Sequence, residues 1–360
     1  FHDPLGMTSI LFIIIVLIVI ILGSLIAPDP TPNANRQILE ISLQKPGTKI
    51  TMLKIPRESS TKSVSVFEQA LFGRPDKYNY VPITKYVFNQ NTVTVTLFKS
   101  DSLYPTQTFQ LNELLSAAKG KDLSELQQQF KSKTIEEKTY WLGTDRYGRD
   151  VLSQLILGSR VSISVGLISV FIAIVIGILL GAIAGYFRGW IDELIVWFIN
   201  VVWSIPSLLL VIAISFALGK GFWQVFIAIG LTMWVDVARV VRGQVMSLRE
   251  KEFVEAGKAL GYSNFRIIYK HILPNVTGTV AVIAASNFAS AILIESGLSF
   301  LGLGVQPPVP SWGTMIKENY GYIILDYAYL AIIPGVAIML LVLAFMLIGN
   351  SLRDALDVKA

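Results

Sequence analysis

Cysteine is missing from all 360 residues. The chain therefore has no disulfide frame and no thiolate metal site. Histidine occurs only at His2 and His271, which excludes a zinc or catalytic centre built on several imidazoles. Charge is scarce: 15% of residues are Asp, Glu, Lys or Arg, where a soluble domain carries about 25%. No Gly-x-x-x-x-Gly-Lys-Ser/Thr phosphate loop is present, so the chain lacks the means to hydrolyse ATP itself. His-Glu-x-x-His is absent, as is a Gly-x-Ser-Gly serine site with a partnering membrane histidine. Both absences argue against an intramembrane protease.

What the chain has in quantity is apolar sequence, 53% of the total. A run of about 20 apolar residues crosses the hydrocarbon core of a bilayer. Residues 8–27, 161–186, 191–218, 222–241, 276–294 and 329–348 qualify, which predicts an all-α polytopic membrane protein with six transmembrane helices. The third run contains Pro206 and is entered through Asp192 and Glu193; the fourth ends in Asp236, Arg239 and Arg242. The first run is longer than the apolar core of a secretory signal and stops at Pro28-Asp29-Pro30, so it reads as a retained span. The chain opens on Phe1 rather than Met, which leaves room for residues ahead of it. Trp190, Trp203 and Trp223 stand near span ends, where indole rings anchor at the interface. The span centres are almost free of charge, unlike those of a self-sufficient secondary transporter with coupling charges at the midplane.

Residues 31–140 differ in kind. They are polar and mixed in charge, with strand-like alternation at 38–43, 80–88 and 92–98 and helix-like patterning at 111–118 and 123–130. A stretch of this size can hold its own small core. The expected division is a first helix in 1–30, a mixed α/β insert domain in 31–140, and a core in 141–360 with five helices and a polar loop at 243–275. Lys and Arg in the short connections set orientation. Arg188, seven residues from Arg239 to Lys270, Arg353 and Lys359 make ten on one side; Arg146, Arg149, Arg160, Lys220 and Lys317 make five on the other. That puts the polar loop and both termini in the cytoplasm and residues 31–140 outside. The net charge of +5 is accounted for by this orientation and calls for no nucleic acid.

The polar loop carries the most specific pattern. Residues 250–260 are rich in helix formers, Gly261 can end that helix in a left-handed conformation, and Ser263 or Asn264 can cap a second one that Pro274 and Asn275 close. Glu255, Ala256, Gly261, Leu273 and Pro274 keep the spacing Glu-Ala-Ala, three residues, Gly, nine residues, Ile-x-Leu-Pro, with Gly257 at the second Ala and His271 at the Ile. This resembles the cytoplasmic coupling loop of ABC-transporter permeases. Three further segments join it in order: Trp141-Leu142-Gly143-Thr144-Asp145-Arg146-Tyr147-Gly148-Arg149-Asp150, then Glu295-Ser296-Gly297-Leu298-Ser299-Phe300-Leu301-Gly302-Leu303-Gly304 with Pro310-Ser311-Trp312-Gly313, then Gly349-Asn350-Ser351-Leu352-Arg353-Asp354. Together they are similar to the second permease subunit of the dipeptide/oligopeptide/nickel ABC importer family, over about residues 141–357. The insert is a departure, since the family usually has a much shorter connection there.

The resemblance implies the type I importer permease fold and a place in a bacterial inner membrane among lipid. It implies a second homologous permease, one or two ATP-binding subunits that hold ATP and Mg, an extracytoplasmic substrate-binding protein, and a short peptide as cargo, with nickel or another small solute as the alternative. The chain itself would carry no cofactor. Glu255, Ala256, Gly257, Gly261, Leu273 and Pro274 would form the ATPase contact; the other reading of this loop is an amphipathic connector on the membrane surface. Asp145, Arg146, Arg149 and Asp150 read either as an outer gate or docking surface, or as a helix cap with an interfacial ion-pair network. Glu295, at the far end of the fifth span, reads as a substrate-pathway group or as a carboxylate that satisfies nearby backbone N–H groups, with 295–304 forming an interfacial or re-entrant turn. His271 has no second histidine near it and reads as a packing residue. The insert reads as a docking element or a shield for the pore mouth, or as a passive scaffold.

Overall fold

The alternation of apolar runs with one polar stretch dictates two different ways of burying surface. The computed structural model describes residues 3–57, 64–98, 106–115, 123–219 and 221–357. The end of the 111–118 helix, Lys220 and Lys359 lie outside the described residues. The helices are α1 (Pro4–Ile26), α2 (Val66–Phe72), α3 (Leu111–Leu114), α4 (Leu123–Gln129), α5 (Val151–Phe187), α6 (Gly189–Trp203), α7 (Ser207–Leu218), α8 (Phe222–Leu248), α9 (Glu252–Ala259), α10 (Asn264–Ile267), α11 (Leu273–Phe300), α12 (Trp312–Asn319) and α13 (Tyr329–Asp357). The strands are β1 (Thr48–Pro56), β2 (Tyr78–Asn89), β3 (Thr92–Leu97), β4 (Thr106–Gln110) and β5 (Ile135–Tyr140). The chain divides into two units, one of Phe1–Leu17, Ser159–Glu318 and Ile332–Ala360, the other of Ile18–Gly158 and Asn319–Ala331.

The second unit is built on an antiparallel sheet of order β4-β3-β2-β1-β5. Successive side chains of a strand point to opposite faces, and β1 uses both. Leu53 packs with Ile83, Val95, Leu126 and Phe130 on one face, while Ile50 and Met52 pack with Ile38, Ile41 and Tyr140 on the other. Residues 38–43, expected as a strand, instead contain a short 3₁₀ turn at Leu39–Ile41 whose Ile41 is fully buried. Their alternation serves a turn that caps the sheet. Strands β1, β4 and β5 were not expected, because Lys, Glu and Thr break up their apolar pattern.

The first unit is helical, with α8 at its centre. Gly177, Gly181 and Gly185 fall on one stripe of α5, four residues apart, and α8 lies against that stripe. A Cβ on Gly181 would stand 2.5 Å from the Ala238 carbonyl oxygen, and one on Gly177 would stand 2.5 Å from Val237 Cβ. Small residues let two backbones approach this closely where lipid supplies no hydrophobic drive. Phe288 of α11 stacks on Phe345 of α13 at 3.8 Å and fills the space over Gly166.

Among the described residues, five helices are long and apolar enough to cross a membrane. The 191–218 run, expected as one span, is two helices, α6 and α7, bent by 93°. Pro206 explains the break. It lacks an N–H, holds φ at −54°, and stands as the N-cap of α7. The pair makes a sixth crossing only as a broken span. Three other spans run further than their apolar cores: α5 begins at Val151, α8 continues to Leu248, and α13 continues to Asp357 past an internal Pro334.

Candidate functional site

The polar loop is anchored before it is presented. Helix α9 begins after Lys251 in extended conformation, with Glu252 and Glu255 in its first turn, where they complement the helix dipole. It ends as the glycine spacing predicts. Gly261 adopts φ +75°, its N–H donates to the Lys258 carbonyl, and the Tyr262 N–H donates to the Gly257 carbonyl at 3.0 Å. That pair of bonds satisfies carbonyls that a helix end otherwise leaves open. Ser263 Oγ accepts from the Arg266 N–H and caps α10.

Pro274 does not close the second helix. The chain runs through it into α11, so that Asn264–Phe300 is one continuous span. Proline removes a donor and crowds the carbonyl four residues back. A wider π-type turn at Ile268–Ile272, with the Leu273 N–H donating to the Ile268 carbonyl, makes room for it. The Asn275 side chain donates to the His271 carbonyl at 2.6 Å.

One side of this loop is sunk in the unit's core. Val254, Ile267 and Ile272 pack with Ala182, Tyr186, Val241 and Val245 from α5 and α8. The Tyr186 hydroxyl donates to Asn264 Oδ1 at 2.8 Å, and Arg188 pairs with Glu250 at 2.5 Å. The other side is open. Glu252, Glu255, Ala256 and Pro274 are exposed. So are four large apolar or aromatic side chains that the sequence reading passed over: Phe253, Leu260, Phe265 (76% exposed) and Tyr269. Phe265 and Tyr269 stack at 6.0 Å, one helical turn apart. For the last two the signal was available, since Phe265 and Tyr269 alternate with the buried Ile267 and Ile272 along α10 and the turn that follows it. Gly257 and Leu273 face inward: Gly257 is buried beneath the Tyr262 ring, and Leu273 packs at the edge of the core. His271 stacks on Tyr262 at 5.8 Å. Lys251, Lys258, Arg266 and Lys270 are exposed as well, and a mixed-charge, partly apolar face on a rigidly held short helix is suited to docking another protein.

The 145–150 segment is closed upon itself. Asp145 is buried; its Oδ1 accepts from the Tyr147 and Arg149 N–H groups, and its Oδ2 accepts from Arg149 Nε at 2.6 Å. Burial raises the Asp145 pKa, and Arg149 beside it works against that rise. Asp150 caps α5, accepting from the Ser153 N–H at 2.9 Å, while Ser153 Oγ accepts from the Asp29 N–H. Backbone N–H groups of Ile38 and Leu43 donate to the carbonyls of Tyr147 and Asp145. The segment thus buttresses the turn at 38–43. Only Arg146 is left exposed, stacked over Tyr147 at 4.5 Å.

Glu295 lies in the other unit, within α11 rather than at its end. The helix continues to Phe300, so the expected turn begins after it. The side chain is completely buried. Its Oε1 accepts from the Ser299 hydroxyl at 2.6 Å, and its Oε2 has no hydrogen-bond partner among the described residues. Its partner is thus a hydroxyl one turn on, not a backbone N–H.

Residues 177–360 match the family described as binding-protein-dependent transport system inner membrane component. The chain is 40% identical over 220 residues to the glutathione transport system permease protein GsiD of Escherichia coli O6:K15:H31, covering 61% of this chain and 72% of that protein. It is 44% identical over 220 residues to the dipeptide transport system permease protein DppC of Alkalihalophilus pseudofirmus, with the same coverage of 61% and 72%. Among solved structures, the inward-facing MetNI methionine ABC transporter aligns over 56% of this chain and 95% of that chain, at 18% identity and a TM-score of 0.47. Apolar helices long enough to cross a membrane, around a packed core with one anchored polar loop, fit an inner membrane component of this kind. The chain belongs to the family of binding-protein-dependent transport inner membrane components, the permeases of ABC importers.

Proposed function

We propose that the chain forms half of the translocation pathway of an ATP-driven importer of short peptides, beside a second homologous permease. The names of its relatives, which carry glutathione and dipeptide, support this cargo class. The observation that carries the mechanism is the exposed α9 with Glu255 at its surface, locked to α5 and α8 by buried side chains on its other side. A partner subunit that binds ATP and Mg docks on α9. Its closure on ATP pushes the helix, and the rigid packing of Val254, Ile267 and Ile272 passes the displacement to α5, α8 and α11. Gly261, Leu273 and Pro274 shape the turn and the helix start that hold α9 in place.

In this reading α9 and both termini are cytoplasmic, the bent α6–α7 pair is one broken span, and residues 31–140 lie outside. There they meet the extracytoplasmic binding protein, with Asp145, Arg149 and Asp150 as the buttress of that domain. Glu295 holds the turn after α11 near the outer mouth. The test is isolation of the tagged chain from native membranes. The reading expects ATP-binding subunits and a second permease to come with it. A chain that arrives alone and transports autonomously contradicts it.

A further inference from the structure

The sheet-bearing unit contains a polar cavity of about 500 Å³ that the transport reading does not use. Its rim is the end of the first span, through Leu25, Ala27 and Pro28. Its wall is cationic, with Arg36, Lys54, Arg74, Lys77 and Lys138. Two of these cations are neutralised. Arg36 pairs with Asp76 and lies 3.4 Å from Asp29, and Lys54 lies 3.3 Å from Glu136. Asp76 and Glu136 are the carboxylates of the cavity wall. Among the described residues, Arg74, Lys77 and Lys138 have no ion pair. Lys138 is the deepest of the three: it projects from β5 with its ammonium over the Tyr80 ring at 5.6 Å and the Tyr140 ring at 5.9 Å. Asp29 and Asp150 share a smaller hollow on its other side and soften its charge without pairing with it.

Depth decides what such a cavity meets. Helix α1 has 23 residues, which at 1.5 Å per residue is about 34 Å, enough to cross the hydrocarbon core and end at its edge. The cavity opens at that edge, where lipid phosphates lie. The last turns of α1 leave Ile21, Leu22, Leu25 and Ile26 exposed, a surface for acyl chains directly below the cationic wall. An anion tethered to an apolar chain matches both features at once.

We propose that this cavity binds the headgroup phosphate of an anionic phospholipid, with its acyl chains along the end of α1. The bound lipid holds the sheet against the membrane surface at the point where the first span leaves the bilayer. Clustered Lys and Arg at a membrane surface act in this way.

The test uses the full chain with its co-purifying subunits in detergent, titrated with dioctanoyl phosphatidylglycerol. Dioctanoyl phosphatidylcholine, inorganic phosphate and an acidic tripeptide serve as comparison probes. The proposal expects saturable binding of the phosphatidylglycerol, weakened roughly tenfold or more by Arg74→Gln with Lys77→Gln, two exposed side chains whose loss leaves the fold intact. Lys138→Gln weakens it similarly. Equal affinity for the two lipids, wild-type affinity in the Arg74→Gln/Lys77→Gln variant, or binding of phosphate or the tripeptide as tight as that of the lipid overturns the proposal.

Discussion

Asp150 shows how a charge-rich motif serves a structural end. Its Oδ2 caps α5, while its Oδ1 is buried with no hydrogen-bond partner among the described residues. Burial raises its pKa, and hydrogen bonds from Ser153 and the charge of Lys138 oppose the rise only in part. The folded chain therefore holds the Asp150 proton to higher pH than the unfolded chain does. Stability from this group falls as pH climbs above its ordinary value of 3.8 and levels off above the raised one. Asp150→Asn keeps the cap, since Asn caps as well as Asp, and removes the buried charge. The variant should melt within about 1 kcal/mol of wild type at pH 7.5 and gain on it as pH rises from the acid side; a melting series in detergent that shows a loss of more than about 2 kcal/mol at pH 7.5 contradicts this. Gly257 makes a converse case. A Cβ there would meet the Tyr262 ring at 3.4 Å, an ordinary contact. Gly257→Ala should thus stabilise α9 by up to about 1 kcal/mol and retain transport, read as slower proteolysis of the loop; faster cleavage would show that the position needs glycine. Neither property was legible in sequence, where Asp150 was one of four charges within six residues and Gly257 an anomaly in a spacing pattern.

At the scale of elements, much of the molecule was legible. Apolar run length located α1, α5, α8, α11 and α13, because burial in lipid demands it. Gly261 and Ser263 marked the loop's turn and cap, because backbone chemistry is local. What escaped depends on tertiary fit. Pro206 splits a run that composition alone makes continuous, whereas Pro274 is absorbed by a wide turn and Pro334 remains inside α13. The Gly177, Gly181, Gly185 stripe meant nothing until α8 was seen against it. Replacing Gly181 by Leu forces α5 from α8, since even a Cβ would stand 2.5 Å from the Ala238 carbonyl oxygen and 2.9 Å from Val241 Cβ. Overpacking of this kind costs about 1–3 kcal/mol or more. Gly181→Leu should lower the monodisperse fraction in size-exclusion chromatography and the melting temperature, and Gly181→Ala should do so less. Wild-type behaviour of the Leu variant would mean that the two helices do not pack closely there.

For the whole molecule, the sequence pattern carried the membrane class and the family through ordered motifs. It carried less of the insert, whose β1 and β5 hide among Lys and Glu. Of the candidate site, the anchored loop was legible and its exposed Phe253, Leu260, Phe265 and Tyr269 were not. The central claim is that α9 transmits the work of a separate ATPase to the spans, and Glu255 is the exposed group on which that contact turns. Glu255 touches nothing in the core, so Glu255→Lys leaves folding and membrane insertion intact while inverting the charge offered to the partner. The decisive measurement is ATP hydrolysis and peptide uptake, side by side, in proteoliposomes holding the complete transporter with wild-type or Glu255→Lys chain. The account predicts a correctly inserted, assembled variant that hydrolyses ATP but loses at least tenfold in uptake per ATP. Normal uptake per ATP in that variant would contradict it.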